Sequence, residues 1–294
     1  MPDDSPDDFP DDFPNDFDPI YFMNAEWSAR VDAWLDDAKA ESFSAGNNQV
    51  IDELLRDDDC GLRMVVNIGS DALLGVLSTG GYQNLYEEPV IGGEARQVSE
   101  TRERVDEVFG LGKDTYFGAV ALGGTGIRYY GEYCMVLKRS AVKKPTRLLD
   151  RDSYDIFMPP LKDLAMTTAQ VERLRGTWGR DLESMAALKV LPEIVHQRRL
   201  VTSGTVSEAV LRDQEFIEIH LDEAFGVTDL EEIRESPDEV AIEARISSKQ
   251  AKQRHVTAVE AEWLRRRDVV ADGLEQAGIR SRVVTLHGRG YQWR

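Results

Sequence analysis

The sequence predicts an α+β fold, a mixed β-sheet with helices at both ends of the chain. Two observations carry that expectation. Short apolar, β-branched runs at 62–68, 116–122, 132–138 and 216–221 have strand length and end at glycine or charge. Helical spacing brackets them: Trp27, Val31, Trp34 and Leu35 fall within 24–40, and an amphipathic run covers 258–277 before Gly278. The chain divides into a tail over 1–20, N-terminal helices over 21–60, a core over 61–236, and a C-terminal helix and strand over 237–294 that pack on the core.

The tail repeats Asp-Asp-Phe-Pro at 7–10 and 11–14, with a degenerate copy at 15–18. Carboxylates and prolines in that density cannot bury enough surface to order themselves. Phe9, Phe13 and Phe17 recur as a linear motif suited to a basic protein partner or to a basic patch of the same chain. A second helix is expected over 48–56. The aspartates 57–59 follow, and adjacent side chains diverge too far to share a metal, so no metal site is expected.

The most informative stretch is 61–88. A strand over 62–68 carries Arg63 at its start. Ser70 is expected to cap a short helix through Leu77, Gly80-Gly81 ends it, and Tyr82 and Tyr86 follow. Next comes a charged helix over 98–109, closed by Gly110 and Gly112. The strands 116–122 and 132–138 are joined by the glycines of 123–126. No Gly-Lys-Ser/Thr follows them, so the loop reads as a hairpin and not a phosphate cradle.

Four cations lie within 138–144, with Arg147 and Arg151 behind. A strand over 146–149, a long helix over 169–188 that Gly176 and Gly179 interrupt, and helical packing over 191–200 with His196 come next. In the strand 216–221, Phe216, Glu218 and His220 share one face and Ile217, Ile219 and Leu221 the other. The aliphatic side must be the core side, which leaves Glu218 on a rigid strand facing a cleft or solvent. A short helix over 230–235, a strand over 282–286 and an Arg/aromatic end complete the chain.

Charge narrows function. The chain has 35 basic and 54 acidic residues, net −19, which opposes non-specific binding to nucleic-acid backbones. No apolar run reaches the roughly 18 residues of a membrane span, and the first residues lack a signal-peptide pattern. Cys60 and Cys134 have no CxxC neighbour. These features place the protein in the cytoplasm, or among secreted effectors without a classical signal peptide. The same acidity suits a non-enzymatic interaction protein: an inhibitor, an immunity partner or a nucleic-acid mimic.

Taken in order, the strand arginine, the strand–helix–glycine–aromatic unit, the central strands and the strand glutamate resemble the ADP-ribosyltransferase-like superfamily. More closely, 63–71, 116–119, 130–138 and 216–220 are similar to the motifs of an uncharacterised bacterial family of that type. The resemblance implies a split mixed β-sheet core and NAD as substrate. ADP-ribose would pass to an acceptor, protein or nucleic acid, as nicotinamide leaves. It further implies that Arg63 pairs with the diphosphate, that Asn67 lies in the cofactor site, and that Tyr82 or Tyr116 stacks on the nicotinamide. Glu218 would stabilise the charge developing on the ribose. The chain departs from the family at Asn67 and Gly69, where histidines are usual. It departs again at Phe216, where the superfamily's polar residue is missing, which turns the expected acceptor away from arginine.

Overall fold

The computed structural model describes residues 27–40, 45–56, 60–84, 100–153, 173–197, 202–212 and 216–284. The tail, the aspartates 57–59, Tyr86 and the chain beyond 284 lie outside them, as does His196's side chain. The strands are β1 (Arg63–Ile68), β2 (Tyr116–Ala121), β3 (Tyr133–Leu137), β4 (Arg147–Leu149), β5 (Arg175–Thr177), β6 (Glu218–Leu221), β7 (Leu230–Glu235) and β8 (Ser281–Val283). They join in one mixed sheet, ordered β5-β4-β6-β2-β1-β3-β7-β8, in which only β7 and β8 run parallel. The expected mixed α+β architecture is present, with the ladder continuous from edge to edge.

The helices are α1 (Trp27–Ala40), α2 (Ala45–Arg56), α3 (Ser70–Thr79), α4 (Glu100–Phe109), α5 (Leu182–Gln197), α6 (Ser203–Val210), α7 (Pro237–Ala251) and α8 (Ala258–Ala277). Alternation along the strands sorts the two sheet faces. Met64, Val66 and Ile68 of β1, with Val120, Met135, Ile219 and Ile233, belong to the large core that also takes in Leu54, Leu73, Leu182 and Met185 from the helices. The intervening residues Val65, Ala119 and Val136 form a smaller cluster with Phe216. On that second face α4 sets Val105 and Phe109 against Leu149.

Several expected elements change identity. The strands β2 and β3 do not form a hairpin; they flank β1 on opposite sides, so residues 122–132 cross over the end of β1. The residues 230–235 form β7 and not a helix, because β3 is open along its outer edge and takes them as a ladder partner. Within the expected helix 169–188, Arg175–Thr177 pair with β4 as β5, and the helix starts only at Leu182. Gly176 lets this strand lie close against the helix, since a Cβ there would lie 2.5 Å from Met185 Sδ. The helix α7 carries no clear signal beyond Ser236 and Pro237 at its start, where the Ser236 hydroxyl accepts from Glu239 N–H.

Candidate functional site

A cavity of about 1260 Å³ opens where the C-terminal half of β1, the start of β2 and the start of β6 meet α3 and the first turns of α8. Its volume is on the scale of pockets that hold cofactors and large ligands. Of the sequence candidates, Asn67, Tyr82 and Glu218 line it, while Arg63 and Tyr116 are not among its described lining residues.

Glu218 opens β6 opposite Ala119 and is 95 % buried, with 5 % of its surface exposed. Its carboxylate is held at both oxygens by one residue. Ser153 donates its backbone N–H to Oε2 at 2.5 Å and its hydroxyl to Oε1 at 3.1 Å. Arg102 Nη1 lies 3.5 Å from the same hydroxyl oxygen, so the Ser153 proton is turned towards Glu218. His220, two residues along the strand, places Nε2 at 3.6 Å from Oε2, ion-pair range and longer than a hydrogen bond. Burial alone pushes this carboxyl up. His220, Arg102 and the Ser153 N–H together pull it below its ordinary value, so the group is held ionised. Arg102 stacks over the Phe117 ring at 3.9 Å and pairs with Asp106.

Asn67 is the pin of the crossover. Its Nδ2 donates to the carbonyls of Thr125, at 2.9 Å, and Gly131, at 3.2 Å. Gly126 lies against its side chain at φ 64°, where a Cβ would sit 2.1 Å from Oδ1. That loop can therefore pass only as glycine. Asn67 thus shapes the cavity wall while its amide N–H groups serve the loop.

Tyr82 follows the αL cap of α3 at Gly80 and is tied down by its N–H to Phe225 O at 2.9 Å. Its ring stacks on Phe225 with centroids 4.9 Å apart, and Tyr116 closes the triad at 6.0 Å from Tyr82. Gly226 permits this approach, since a Cβ there would meet Gly80 O at 2.0 Å. Tyr116, 4 % exposed, backs Tyr82 from within the core.

Arg63 points elsewhere. Its Nε pairs with Glu231 at 2.7 Å, beyond the far edge of β3, and Nη1 donates to Leu62 O. The register puts it two strands and two residues from Glu218, about 12 Å by strand geometry. Its expected diphosphate contact is therefore not supported by its position. Among the described residues the cavity's guanidiniums are Arg102 and Arg266, neither of which the sequence singled out. Arg266 on α8 pairs with Asp71 at 2.7 Å and with Glu262 at 2.9 Å. Ser70 also departs from expectation: Gly69 is the N-cap of α3 and has no side chain with which to cap it. The Ser70 N–H and hydroxyl both donate instead to Glu132. That carboxylate occupies the anion-favouring end of the helix.

Cys134 is fully buried and burial pushes its thiol up to about 12, which leaves it protonated and inert as a nucleophile. Among the described residues no group of three or more His, Cys, Asp or Glu side chains is arranged to hold a metal, and no helix is long and apolar enough to cross a membrane. No family model, curated protein sequence or solved structure matches the chain.

Proposed function

We propose that residues 61–236 form an ADP-ribosyltransferase-like core and that the protein transfers ADP-ribose from NAD to an acceptor, releasing nicotinamide. The observation that carries this reading is Glu218: a carboxylate kept ionised in the wall of a dinucleotide-sized cavity, on the strand two places from β1. Asn67 and Tyr82, from two other elements, line the same cavity.

The reaction breaks the bond between ribose C1′ and the nicotinamide nitrogen, and positive charge develops on the ribose as the ring leaves. A fixed carboxylate next to that carbon lowers the barrier because it need not reorient from water. Glu218 accepts the ribose 2′-hydroxyl and faces the developing charge, and Ser153 keeps its two oxygens from rotating away. Tyr82, backed by Phe225 and Tyr116, offers a ring for the nicotinamide. Arg266, 40 % exposed at the mouth, is the cation best placed for the diphosphate.

Incubation of the full chain with NAD and chromatography of free nicotinamide tests the reading. Release by the wild type, and about 100-fold less by Glu218→Gln with an unchanged circular dichroism spectrum, is expected. A wild type that neither binds NAD nor releases nicotinamide overturns it. So does a Glu218→Gln variant as active as the wild type.

A further inference from the structure

The aromatic side chains along the cavity differ in what stands behind them. Phe117 is covered by Arg102 at 3.9 Å, and Phe216 keeps only 4 % of its surface exposed. Trp263, on the second turn of α8, lines the cavity with a half-buried indole that the chemistry above leaves unused. The guanidinium of Arg267, one turn further along α8, lies over that ring at 5.0 Å from its centroid. Arg267 is itself fixed. It is buried, donates to Glu243 at 2.8 Å and to the Tyr133 hydroxyl at 3.2 Å, and pairs with Glu235 on β7. The helix starts at a capping box, in which the side chains of Thr257 and Glu260 each accept the other's backbone N–H. The indole is therefore a rigid plate with a buried cation against one face.

A cation on one face sets what the other face takes. The guanidinium already draws on the π density of the ring, so a second cation gains little there, while a neutral, electron-rich base stacks well. Tyr82 is the opposite case, since the ring behind it is the neutral Phe225, at 4.9 Å. The two ends of NAD differ in the same way: nicotinamide is a pyridinium cation and adenine is neutral. Position agrees with charge. Arg266, the cation assigned to the diphosphate, follows Trp263 by three residues and lines the same cavity from the same side of α8. Its ion pair with Asp71 ties this part of α8 to the first turn of α3, just past Ile68. Ile68 stands three residues and two strands from Glu218, about 14 Å by strand geometry. The helix α8 therefore meets the cavity well away from the reacting carboxylate, where the far half of a dinucleotide would lie.

We propose that Trp263 is the platform on which the adenine of the dinucleotide stacks, with Arg267 holding its inner face and selecting a neutral base. Which dinucleotide enters rests on the transferase reading; the preference of the platform for a purine does not. Purines lay two fused rings on the indole and pyrimidines one, so stacking favours ADP over UDP at equal charge.

The test uses the full chain and three ligands, ADP, UDP and nicotinamide mononucleotide, with affinities read by isothermal titration calorimetry. The wild type is expected to bind ADP about five-fold more tightly than UDP. Trp263→Ala, with an unchanged circular dichroism spectrum, should weaken ADP about ten-fold and bring ADP and UDP within two-fold of each other. Trp263→Phe keeps the preference for ADP, and neither variant alters the affinity for nicotinamide mononucleotide, which has no adenine. ADP bound equally well by Trp263→Ala and the wild type overturns the subsite. So does an equal loss of nicotinamide mononucleotide, which would make Trp263 a support of the whole cavity, and so does a wild type that binds none of the three. Nicotinamide release from NAD by the wild type, with ADP binding indifferent to Trp263, removes the subsite and leaves the transferase standing. Trp263-dependent ADP binding without nicotinamide release upholds the subsite and removes the transferase.

Discussion

The two faces of β6 differ as sharply as any two regions of the molecule. Ile219 points into the large core among aliphatic side chains from the strands and helices. Glu218 and His220, one residue to either side, point to the other face, where both are equally buried yet charged or polar. Burying apolar surface stabilises a fold with no further arrangement. Burying a carboxylate costs several kcal/mol unless neighbours answer it. Here Ser153, His220 and Arg102 are recruited from three separate segments to do so. Stability gives no reason to build such a face, so the polar side is where function is to be sought.

The strongest way to break that comparison is at the adjacent pair. Ile219→Ala should cost about 3 kcal/mol of stability, read from urea unfolding, through lost burial and the cavity left behind. Glu218→Gln should cost about 1 kcal/mol, since the amide still accepts from the Ser153 N–H. If the glutamine variant were the less stable of the two, Glu218 would be a structural residue, and the polar face would have no need of a function.

Next in size is Ser153, whose hydroxyl and N–H fix the two carboxylate oxygens. Ser153→Ala keeps the N–H and removes one donor, so nicotinamide release should fall about ten-fold, with KM for NAD little changed. Loss of that donor should also raise the Glu218 carboxyl towards its ordinary value, a shift that carbon-13 titration of the labelled side chain would read. The sign for stability follows from the depression. The folded carboxyl binds its proton less tightly than the unfolded one, whose value is about 4.3. Its contribution is therefore complete above that pH and disappears as pH falls through the folded value. The stability gap between wild type and Glu218→Gln should narrow on acidification from pH 6, and a gap that widens would reverse the assignment.

Much of this contrast could be read from the residues alone, and the reason is local. Period-2 alternation put Ile219 inward and Glu218 and His220 together on the other face, and the αL glycines Gly80 and Gly278 ended their helices where they stand. What could not be read depended on distant partners. Arg102 and Arg266 reach the cavity, and Ser153 reaches Glu218, from two helices and a loop whose sequences carry no motif. Residues 230–235 alternate too weakly to show that β3 would take them as a strand. The glycines of 123–126 look like a tight turn, and only the sheet order shows the loop crossing β1, with Asn67 holding it. Arg63 belongs with these: its place at the start of a strand was legible, but its ion pair with Glu231 across β3 was not.

A smaller effect tests how the mouth balances charge. Asp71 is 64 % exposed and occupies one side of Arg266. Asp71→Asn should free that guanidinium for an anionic ligand and lower KM for NAD about three-fold at low salt, with kcat unchanged. An increase in KM would mean that Asp71 positions Arg266 and does not compete for it.

The smallest expected effect belongs to Arg63, and its smallness is informative. Its partner Glu231 is 43 % exposed, so solvent screens the pair and Arg63→Ala should cost no more than about 1 kcal/mol. Because its guanidinium reaches across β3, away from the cavity, nicotinamide release should stay within two-fold of the wild type. A loss of 100-fold in release with the fold intact would show that this arginine swings from Glu231 to the nucleotide during turnover. Glu231 and the diphosphate would then compete for one cation, and the contrast between a structural and a functional face would have to be redrawn around β1 instead of β6.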